Sequence, residues 1–403
     1  MSTARETKPD VVIVGARCAG AATALLLARA GLRVTVLDRS QLGADTLSTH
    51  ALMRTAVLQL HRWGLLDAIR QTDVPPVTRT VFRYGADETV VTIRPIPGAE
   101  ALYAPRRTVL DRVLIEAAQE AGATVHFGTT VTGVERDRTG AVSGVVGRTA
   151  SGTVITFPAA ISIGADGLGS RFSEWVDAPV ERAGIHAGAV IYAYVGGLDN
   201  RGYEWFYNPG VAGGVIPTNG EVSCVFVGMP NEQFRQGQSA DIHSAFAALL
   251  PKISDELAER VRRGVIASRL RSYPGIPGYQ KRPWGNGWAL VGDAAYHRDP
   301  LSARGISDAL RDAELLARAI IDGLGAAESS PRTLARSLEN YRLIRNRLSH
   351  HLFSATDAIA SYAWDLDTIP VLLRSLAAAQ ADEVTFLSEL DASSLAFAAV
   401  EQR

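Results

Sequence analysis

The chain has 403 residues, 47% of them hydrophobic and 21% charged, with a formal net charge of −1. This length exceeds a single compact core, so two domains are expected, and the composition is ordinary for a globular enzyme. The balance of charge gives no electrostatic reason to expect nucleic acid or an anionic membrane as a partner. Only two cysteines occur, which argues against a disulfide framework and a thiolate metal site, so no bound metal is expected.

The sequence shows no targeting or membrane-spanning segment. The first ten residues are polar and lack the apolar centre of a signal peptide. No uncharged apolar stretch reaches the ~20 residues that a bilayer requires. We therefore expect a cytoplasmic protein without stable membrane association.

The first predicted unit is a strand, a glycine turn, a helix and a second strand. The unbroken β-branched run over 11–14 predicts a strand buried on both faces. Residues 19–30 are helix-forming throughout, and Gly31 is placed to end the helix. Residues 34–38 predict a second strand that ends at Asp38. This βαβ order predicts a mainly parallel sheet.

The turn of this unit has the sequence Gly15-Ala16-Arg17-Cys18-Ala19-Gly20. Glycines there allow a tight bend, close approach of a pyrophosphate and close helix packing, and the helix N-terminus offers N–H groups to phosphates. Asp38 follows Gly15 by 23 residues, close to the spacing of an acid that binds a ribose hydroxyl. The turn, Asp38 and Arg39 therefore predict a dinucleotide site; the alternative is a turn that only packs a helix on a sheet.

Two residues of this turn have alternative interpretations. Arg17 stands where the middle glycine is expected, and its guanidinium could pair with phosphate oxygens. Cys18 lies at a helix N-terminus, which can lower the pKa of a thiol and make it reactive. The other interpretation of Cys18 is a small residue that fills a tight turn.

Helices and short strands follow. Helices are predicted over 50–65 and 108–121, the second with a capping box of Thr108 and Asp111. Two strands joined around Gly85 are predicted within 77–95. Turn residues then separate five short strands, which are predicted over 123–128, 131–136, 141–147, 152–157 and 160–164.

The second half changes from strands to helices. An aromatic-rich pattern over about 185–275 predicts a second, mainly β domain, with a helical stretch near 240–263. A buried strand is predicted over 288–292, a long helix after Gly305, and helices over 331–403. One aromatic group either lines a substrate pocket or belongs to the domain core: Tyr203, Trp205, Phe206 and Tyr207.

Several segments carry a resemblance to a known family. Residues 163–167, followed by Ser170 and Arg171, resemble the DG motif of the flavoprotein hydroxylases similar to p-hydroxybenzoate hydroxylase. Residues 290–295, followed by Pro300 and Gly305, resemble their GD motif. The segment 107–111 resembles their arginine-leading helix, and 54–58 resembles their R-x-G-V-L segment without the glycine. The segments 45–50 and 203–210 resemble a subgroup near the geranylgeranyl-reductase-like flavoproteins.

The resemblance implies an α/β fold. It consists of a Rossmann-type FAD-binding domain, an interleaved mainly β substrate domain and a C-terminal helical region. The FAD-binding domain is expected over 1–76, 101–184 and 281–330. The substrate domain is expected over 77–100, as a hairpin, and over 185–280, and the helical region over 331–403.

The resemblance also implies which residues bind FAD. Asp293 would accept a hydrogen bond from a ribityl hydroxyl, and Asp166 would support the fold near the flavin. Arg54 and Arg107 would lie near the phosphate or ribityl chain, and the helix after Gly305 would direct its N-terminus at the flavin pyrimidine edge. The other residues expected at the cofactor are Ser48, Thr49, Gly167, Arg171, Gly292, Pro300, Arg304 and Ile306.

The implied reaction is a monooxygenation. NADH or NADPH would reduce FAD, molecular oxygen would form a flavin hydroperoxide, and an aromatic or polyketide-like small molecule would be hydroxylated or epoxidised. No second dinucleotide-type glycine turn occurs, so the nicotinamide nucleotide would dock transiently. Catalytic candidates are His50, Tyr296 and His297, because an acid or base near neutral pH can move a proton; the alternative is that each only bonds a loop carbonyl.

Two other functions stay open. One is a flavin-dependent reductase or oxidase of the geranylgeranyl-reductase-like group, without oxygen insertion. The other is a flavin-binding protein without turnover. The halogenase branch is disfavoured, because its W-x-W-x-I-P segment does not occur.

Overall fold

The computed structural model describes residues 9–325 and 330–390. Its first unit is β1 (Val11–Val14), α1 (Cys18–Arg29) and β2 (Val34–Asp38). Strand β1 pairs in parallel with β2, and all four of its residues are buried, which accounts for the unbroken apolar run. The predicted βαβ unit is confirmed.

The next segment alternates helices with short strands. The helix predicted over 50–65 begins only at Arg54, because His50 has a left-handed φ of 68° and the Leu52 N–H donates to the Tyr103 carbonyl over 2.8 Å. The elements are α2 (Arg54–Arg62), α3 (Leu66–Arg70), β3 (Arg79–Tyr84), β4 (Asp87–Thr92), α4 (Arg107–Glu120), β5 (Thr124–Phe127), β6 (Thr130–Arg136), β7 (Val142–Arg148), β8 (Val154–Pro158), β9 (Ile161–Gly164) and α5 (Arg171–Trp175).

The predicted capping box of Thr108 and Asp111 is wrong. Helix α4 begins one residue earlier, at Arg107, and its N-cap residue Arg106 makes no side-chain capping bond. The Asp111 carboxylate instead accepts two hydrogen bonds from the Arg107 guanidinium, over 3.1 and 3.0 Å. A buried ion pair one turn apart therefore takes the place of a cap.

The β-rich segment contains the predicted helical interruption, divided into several pieces. A helix over Ile242–Ile253 follows a π-helical turn over Phe234–Gln238, and Ser254 caps the next helix by accepting from the Leu257 N–H. The elements are β10 (Val180–Ala183), β11 (Gly188–Gly196), β12 (Tyr203–Asn208), β13 (Val211–Thr218), β14 (Val222–Pro230), α6 (Asn231–Gln233), α7 (Ile242–Ile253), α8 (Asp255–Arg263), β15 (Val265–Ile266) and β16 (Arg271–Tyr273).

The last part returns to the first sheet and ends in helices. Two 3₁₀ turns, Gly292–Ala294 and Pro300–Ser302, precede the long helix that was predicted after Gly305. The elements are β17 (Tyr279–Lys281), β18 (Trp284–Gly285), β19 (Trp288–Leu290), β20 (Tyr296–His297), α9 (Gly305–Gly325), α10 (Pro331–Ala360) and α11 (Ile369–Glu389). The prediction of helix beyond Leu390 falls outside the described residues.

Strands from distant parts of the chain form a six-stranded sheet. Its order is β18-β19-β9-β1-β2-β5, and β9 pairs in parallel with both β1 and β19. Because parallel strands end at the same edge, the glycine turn after β1, the segment after β9 and the segment after β19 meet there. Two three-stranded sheets, β6-β7-β8 and β10-β17-β20, flank the larger ones.

The eight-stranded sheet has the order β15-β11-β14-β13-β12-β3-β4, with β16 also paired to β11. Strand β3 pairs in parallel with β12, Thr80 opposite Tyr203. The hairpin of β3 and β4 thus belongs to the same sheet as β11 to β16. One face of this sheet joins the apolar cluster that contains α1 and α9, and the other packs on α7 and α8. Among the described residues, no helix combines the length and apolar character needed to cross a bilayer.

Candidate functional site

The glycine turn lies directly against the DG segment. Gly15 has a φ of 109°, and a Cβ atom there would lie 2.4 Å from the Ala165 carbonyl oxygen. A Cβ atom at Gly20 would lie 1.9 Å from the Gly15 carbonyl oxygen. Only glycine fits at either position, because larger residues would collide with backbone. This close packing brings the glycine turn and the DG segment together at one edge of the six-stranded sheet.

Asp38 holds this turn from the end of β2. One carboxylate oxygen accepts from the Ala16 N–H over 2.7 Å, and the other accepts from the Ser40 N–H, also over 2.7 Å. Each oxygen keeps a lone pair for a further donor. A cleft opens beside this carboxylate, and its lining residues are Ala16, Arg17, Asp38, Ser40, Gln41, Leu42, Gly43, Ala44, Asp111 and Phe127. The cleft is where the adenosine half of a dinucleotide was expected.

Arg17 and Cys18, the two unusual residues of the turn, have different surroundings. The Arg17 guanidinium donates to the Ala44 carbonyl over 3.0 Å and lies 3.5 Å from the Asp111 carboxylate. Its side chain remains 29% exposed, so it lines the cleft while anchored to the protein. Burial raises the pKa of the Cys18 thiol to about 11, which favours the interpretation of a small residue filling the turn over a reactive thiolate.

Arg107 lies in the interior below the turn. Burial opposes its charge, but the carboxylates of Asp111 and Asp293 stabilise the guanidinium and the pKa of Arg107 is raised; the Cys18 thiol also lies nearby. Those same interactions show that helix α4, the glycine turn and the GD segment converge on this arginine. The arrangement supplies one fixed positive charge beneath the predicted cofactor position.

Asp293 is the acidic residue of the GD segment. The carboxylate accepts no hydrogen bond from residues 9–325 or 330–390, although its backbone carbonyl accepts from the Tyr279 hydroxyl over 2.6 Å. Burial raises the pKa of Asp293 to about 6, with Arg107 acting in the opposite direction. Gly292 has a φ of 64°, and a Cβ atom there would lie 2.8 Å from the Ala19 Cβ. An acceptor without a partner beside the glycine turn fits a ribityl hydroxyl.

The N-terminus of α9 adds a second fitting feature. Gly305 is its exposed first residue, and a Cβ atom there would meet nothing within 4 Å. Ile306 behind it is buried, and Pro300 begins the 3₁₀ turn that Asp299 caps by accepting from the Leu301 N–H over 2.9 Å. The helix therefore presents free N–H groups to open space, as binding of an electron-rich ring edge requires.

Arg304 departs from the sequence prediction. Its side chain is 1% exposed and is paired with the Glu383 carboxylate of α11, and its Nε lies 3.8 Å from Asp308. Since the guanidinium is engaged by acids inside the protein, its side chain does not support the predicted cofactor contact. No sequence pattern predicted that Glu383 would pair with Arg304.

The residues of the DG segment make their contacts within that segment and with α5. The Asp166 carboxylate accepts from the Ser170 hydroxyl over 2.5 Å and from the Phe172 N–H over 3.0 Å, so it stabilises the start of α5. Gly167 is half-buried and has a φ of 77°. The side chain of Arg171 is 71% exposed and lies over the Trp175 ring at 5.7 Å, which associates it with its own helix.

The remaining predicted cofactor residues lie directly after β2, in the loop before α2 and at the start of α2. Arg39 is exposed after β2, and Arg54 is half-buried as the first residue of α2. Thr49 is half-buried in the loop before α2, and in that loop the Ser48 N–H donates to the Tyr192 hydroxyl over 3.3 Å. That bond joins the loop to the eight-stranded sheet.

Of the catalytic candidates, His50 lies between the two large sheets. Its side chain is completely buried, and its Nε2 forms a hydrogen bond with the Tyr194 hydroxyl of β11. Its Nδ1 is buried and has no protein partner. Burial and the positive charges of Arg106, Arg107 and Arg271 hold the pKa of His50 well below its usual value, so the imidazole is neutral at pH 7.

Tyr296 and His297 are separate from His50. Tyr296 packs against the Phe353 ring and lies beside Arg298 and Arg311 in the helical core, with its hydroxyl buried and unpartnered. His297 contacts Tyr273, whose hydroxyl lies 3.2 Å from its Nε2, and burial lowers the pKa of His297 to about 4. The three candidates thus have different partners and do not form one catalytic group.

The aromatic group of β12 divides between the two faces of the sheet. Tyr203, Trp205 and Tyr207 lie in the cluster shared with the glycine-turn domain, and the Tyr203 hydroxyl donates to the Tyr103 carbonyl over 2.7 Å. Phe206 lies on the opposite face, in the cluster with α7. Alternation along a strand explains this division. All four side chains are buried.

The sequence analysis missed two residues of this region. Tyr194 bonds His50, and Arg106 lies over the Tyr194 ring with its Cζ atom 3.8 Å from the ring centre. A signal existed: Tyr192 and Tyr194 alternate in β11, so both face the same side, and Arg106 directly precedes the arginine that was selected. Neither residue belonged to a recognised motif.

Comparisons with known proteins agree with this geometry. Residues 8–341 match the family described as FAD binding domain. The chain is 24% identical over 397 residues to the digeranylgeranylglycerophospholipid reductase 1 of Methanococcoides burtonii, covering 94% of this chain and 91% of that protein. It is 27% identical to the 6-methylpretetramide 4-monooxygenase of Streptomyces rimosus, covering 81% and 78%.

The fold has solved counterparts. The structure of Pseudomonas aeruginosa PqsL in complex with 2-aminobenzoylacetate superposes with a TM-score of 0.77 at 22% identity, covering 91% of this chain and 100% of that one. The α/β fold with a mainly β second domain is thereby confirmed. The family match spans most of the chain and includes the glycine turn, the DG segment and the GD segment. The chain therefore belongs to the FAD binding domain family and is an FAD-dependent oxidoreductase.

Proposed function

We propose that the protein is a monooxygenase that uses NADH or NADPH and molecular oxygen to hydroxylate or epoxidise an aromatic or polyketide-like small molecule. The observation that carries this proposal is the contact between His50 and Tyr194. It joins the loop after the first βαβ unit to an aromatic-lined sheet face. A flat, apolar substrate would be held there beside the cofactor residues.

FAD would be held by the residues that converge at the sheet edge. The cleft beside Asp38 would take the adenosine half, the unpartnered carboxylate of Asp293 would accept from the ribityl chain, and the open N-terminus of α9 at Gly305 would face the ring. When bound, FAD supplies the electron transfer and the activation of oxygen that no side chain provides. A nicotinamide nucleotide would dock transiently as the reductant.

The protein's own residues would control protons and water. His50 is neutral, and when Tyr194 donates to its Nε2 the Nδ1–H can donate a hydrogen bond to a substrate oxygen. The pKa of Tyr194 is raised by burial, so its phenol keeps its proton and orients the imidazole. The apolar surroundings would exclude bulk water from the reacting atoms.

A second candidate function is reduction of a carbon–carbon double bond without oxygen insertion. Similarity to the reductase of Methanococcoides burtonii covers 94% of this chain, more than the similarity to the monooxygenase of Streptomyces rimosus covers. In that case, the same apolar face would hold a long unsaturated chain rather than a ring system.

An isotope experiment separates the two functions. FAD-loaded protein is incubated with NADPH or NADH and a panel of aromatic, polyketide and polyprenyl compounds under ¹⁸O₂, and products are analysed by mass spectrometry. A product that gains one ¹⁸O atom supports the monooxygenase, and an anaerobic gain of two hydrogens supports the reductase. A failure of every compound to stimulate NAD(P)H oxidation contradicts both.

Two variants connect the activity with the geometry. His50→Gln removes the Nδ1 donor and should lower kcat by about 100-fold, the lower range for loss of one oriented hydrogen-bond donor. His243→Gln is the matched control, because His243 is exposed on α7. Equal loss in both variants, or none in His50→Gln, would remove His50 from the proposed mechanism.

A further inference from the structure

Two buried nitrogen atoms lie without partners around one tyrosine. The Nδ1 of His50 and the Nε of Arg106 are both buried and make no hydrogen bond within the described residues. Both side chains contact Tyr194: the imidazole through a hydrogen bond and a ring separation of 5.6 Å, the guanidinium over the ring face at 3.8 Å. Buried polar nitrogens without partners are uncommon in proteins, because each loses its hydration.

The polarity of these atoms defines what can bind them. The Nε of Arg106 can only donate. Tyr194 keeps its proton because burial raises the pKa of its phenol, so the hydroxyl can donate to Nε2 of His50. The neutral imidazole then carries its own proton on Nδ1. In this tautomer both unpartnered atoms are donors, and they require an acceptor.

The charge of the region indicates an anion. Arg106 and Arg271 have one acidic partner in common, Asp45, whose Oδ2 lies 3.4 Å from the first guanidinium and 3.0 Å from the second. Two positive charges thus face one negative charge. The Asp45 contact reaches the terminal Nη2 of Arg106 and leaves its Nε without a partner, so the guanidinium fork is only partly occupied.

The consecutive residues Arg106 and Arg107 face different parts of the protein. Arg107 turns inward to Asp111 and lies close enough to Asp293 for that charge to act on it. Arg106 turns to the aromatic sheet face, and its backbone N–H is fixed by the Asn219 side chain over 2.8 Å. The unpartnered donors are therefore on the substrate side of the start of α4.

We infer that Arg106 and His50 form a binding site for a planar oxyanion of the substrate, such as an aromatic carboxylate or an acidic enolate of similar charge distribution. This inference rests on the proposed function, because it assigns the polar end of the substrate held on the aromatic face. The guanidinium supplies a charge-assisted hydrogen bond, and the imidazole supplies a neutral one. Asp45 is the internal competitor for the same arginine.

The experiment measures binding rather than turnover. FAD-loaded oxidised protein is titrated by calorimetry with benzoate and 2-naphthoate and, separately, with the neutral isosteres benzamide and 2-naphthamide. The wild type should bind at least one acid about 10-fold or more tightly than its amide. Binding of both forms alike, or of neither, overturns the inference.

Variants with opposite expected signs distinguish a ligand site from a structural role. Arg106→Gln should weaken binding of the acid by about 10- to 150-fold, the range for one charge-assisted hydrogen bond, and leave the amide within about 3-fold. Asp45→Asn should strengthen acid binding, because it removes the competing carboxylate. The control Arg138→Gln changes an exposed arginine of the β6–β7 turn and should change neither.

The outcomes are separable from those of the oxygen experiment. A preference for acids that disappears in Arg106→Gln supports the oxyanion site even when no tested compound is oxygenated. Oxygenation of neutral compounds only, with no acid preference in the wild type, retains the monooxygenase and rejects the oxyanion site. Weaker acid binding in Asp45→Asn would also contradict it, because the two carboxylates would then not compete.

Discussion

Replacing Asp293 by asparagine should make the FAD-free protein more stable at pH 8. Asp293 is half-buried and its carboxylate accepts no hydrogen bond among the described residues, while the burial it has raises its pKa from 3.8 to about 6. A charged group that is less favourable in the folded than in the unfolded state opposes folding. Asparagine keeps the shape of the side chain and removes that charge.

The magnitude follows from the two pKa values. Below about pH 4 the carboxyl is protonated in both states and the substitution has no electrostatic effect. Above pH 4 the unfolded state loses its proton first, so stability falls as pH rises through the folded pKa of about 6. Integration gives a gain for Asp293→Asn of about 1.6 kcal/mol at pH 5 and about 3 kcal/mol at pH 8.

The assay is urea unfolding of FAD-free wild type and variant between pH 5 and 8. A matched control is Asp299→Asn, since burial also raises the pKa of Asp299 to about 6. The Asp299 carboxylate, however, accepts from the N–H groups of Gly188 and Leu301 over 2.6 and 2.9 Å. Asparagine can replace only one of those acceptors, so this variant should gain less or lose stability.

Flavin binding should change in the opposite direction to stability. The charged acceptor for a ribityl hydroxyl becomes a neutral one in Asp293→Asn, which should weaken FAD affinity by about 5- to 10-fold. Fluorescence titration of the apoprotein measures this. A variant that is no more stable than wild type at pH 8, or whose stability difference does not vary with pH, would refute the burial argument.

Three further outcomes are expected. Asp38→Ala should weaken FAD binding by about 10- to 150-fold, because Asp38 holds the glycine turn. Arg39→Ala should have little effect, because Arg39 is exposed. Equal flavin affinities of the two variants would contradict the assignment. Glu383→Gln should lower the free energy of unfolding by about 3–5 kcal/mol, measured in urea against Asp382→Asn on the exposed side of α11, since it leaves one positive charge uncompensated in the buried cluster of Arg304 and Arg311. With a pKa of about 11, the thiol of Cys18 should resist iodoacetamide at pH 8 in folded protein and react after unfolding, as followed by mass spectrometry; rapid labelling of folded protein would show an accessible thiolate.

Local patterns allowed the sequence to predict the first βαβ unit. Its strands are buried on both faces and its turn needs glycine, so composition and geometry agree within about thirty residues of chain. The hairpin around Gly85 was also visible from local pattern. Its parallel pairing with β12 was not, because that contact joins Thr80 to Tyr203, far apart in sequence.

Side-chain roles were harder to predict than elements. The Thr108 and Asp111 pattern fitted a capping box, but a buried Arg107 needed Asp111 as its counter-ion. Arg304 fitted a cofactor residue by its position in the GD segment, yet it pairs with Glu383 in α11. In both cases, burial of the arginine determined which acid it pairs with, and burial cannot be seen in a single sequence. For the same reason, the sequence analysis selected Arg107 and not the adjacent Arg106.

The pairing of α9 with the last described helix has a consequence for the order of synthesis. Arg304, directly before α9, and Arg311 of α9 both pair with Glu383 of α11, which completes a cluster that also contains Asp308 and Asp312. A growing chain is made from its N-terminus, so these arginines leave the ribosome well before their acid does. Until then, this buried cluster at the start of α9 lacks one of its acids and is less stable. The FAD site should therefore mature only after nearly the whole chain has emerged, and flavin capture on a stalled nascent chain should begin once α11 is free of the ribosome tunnel.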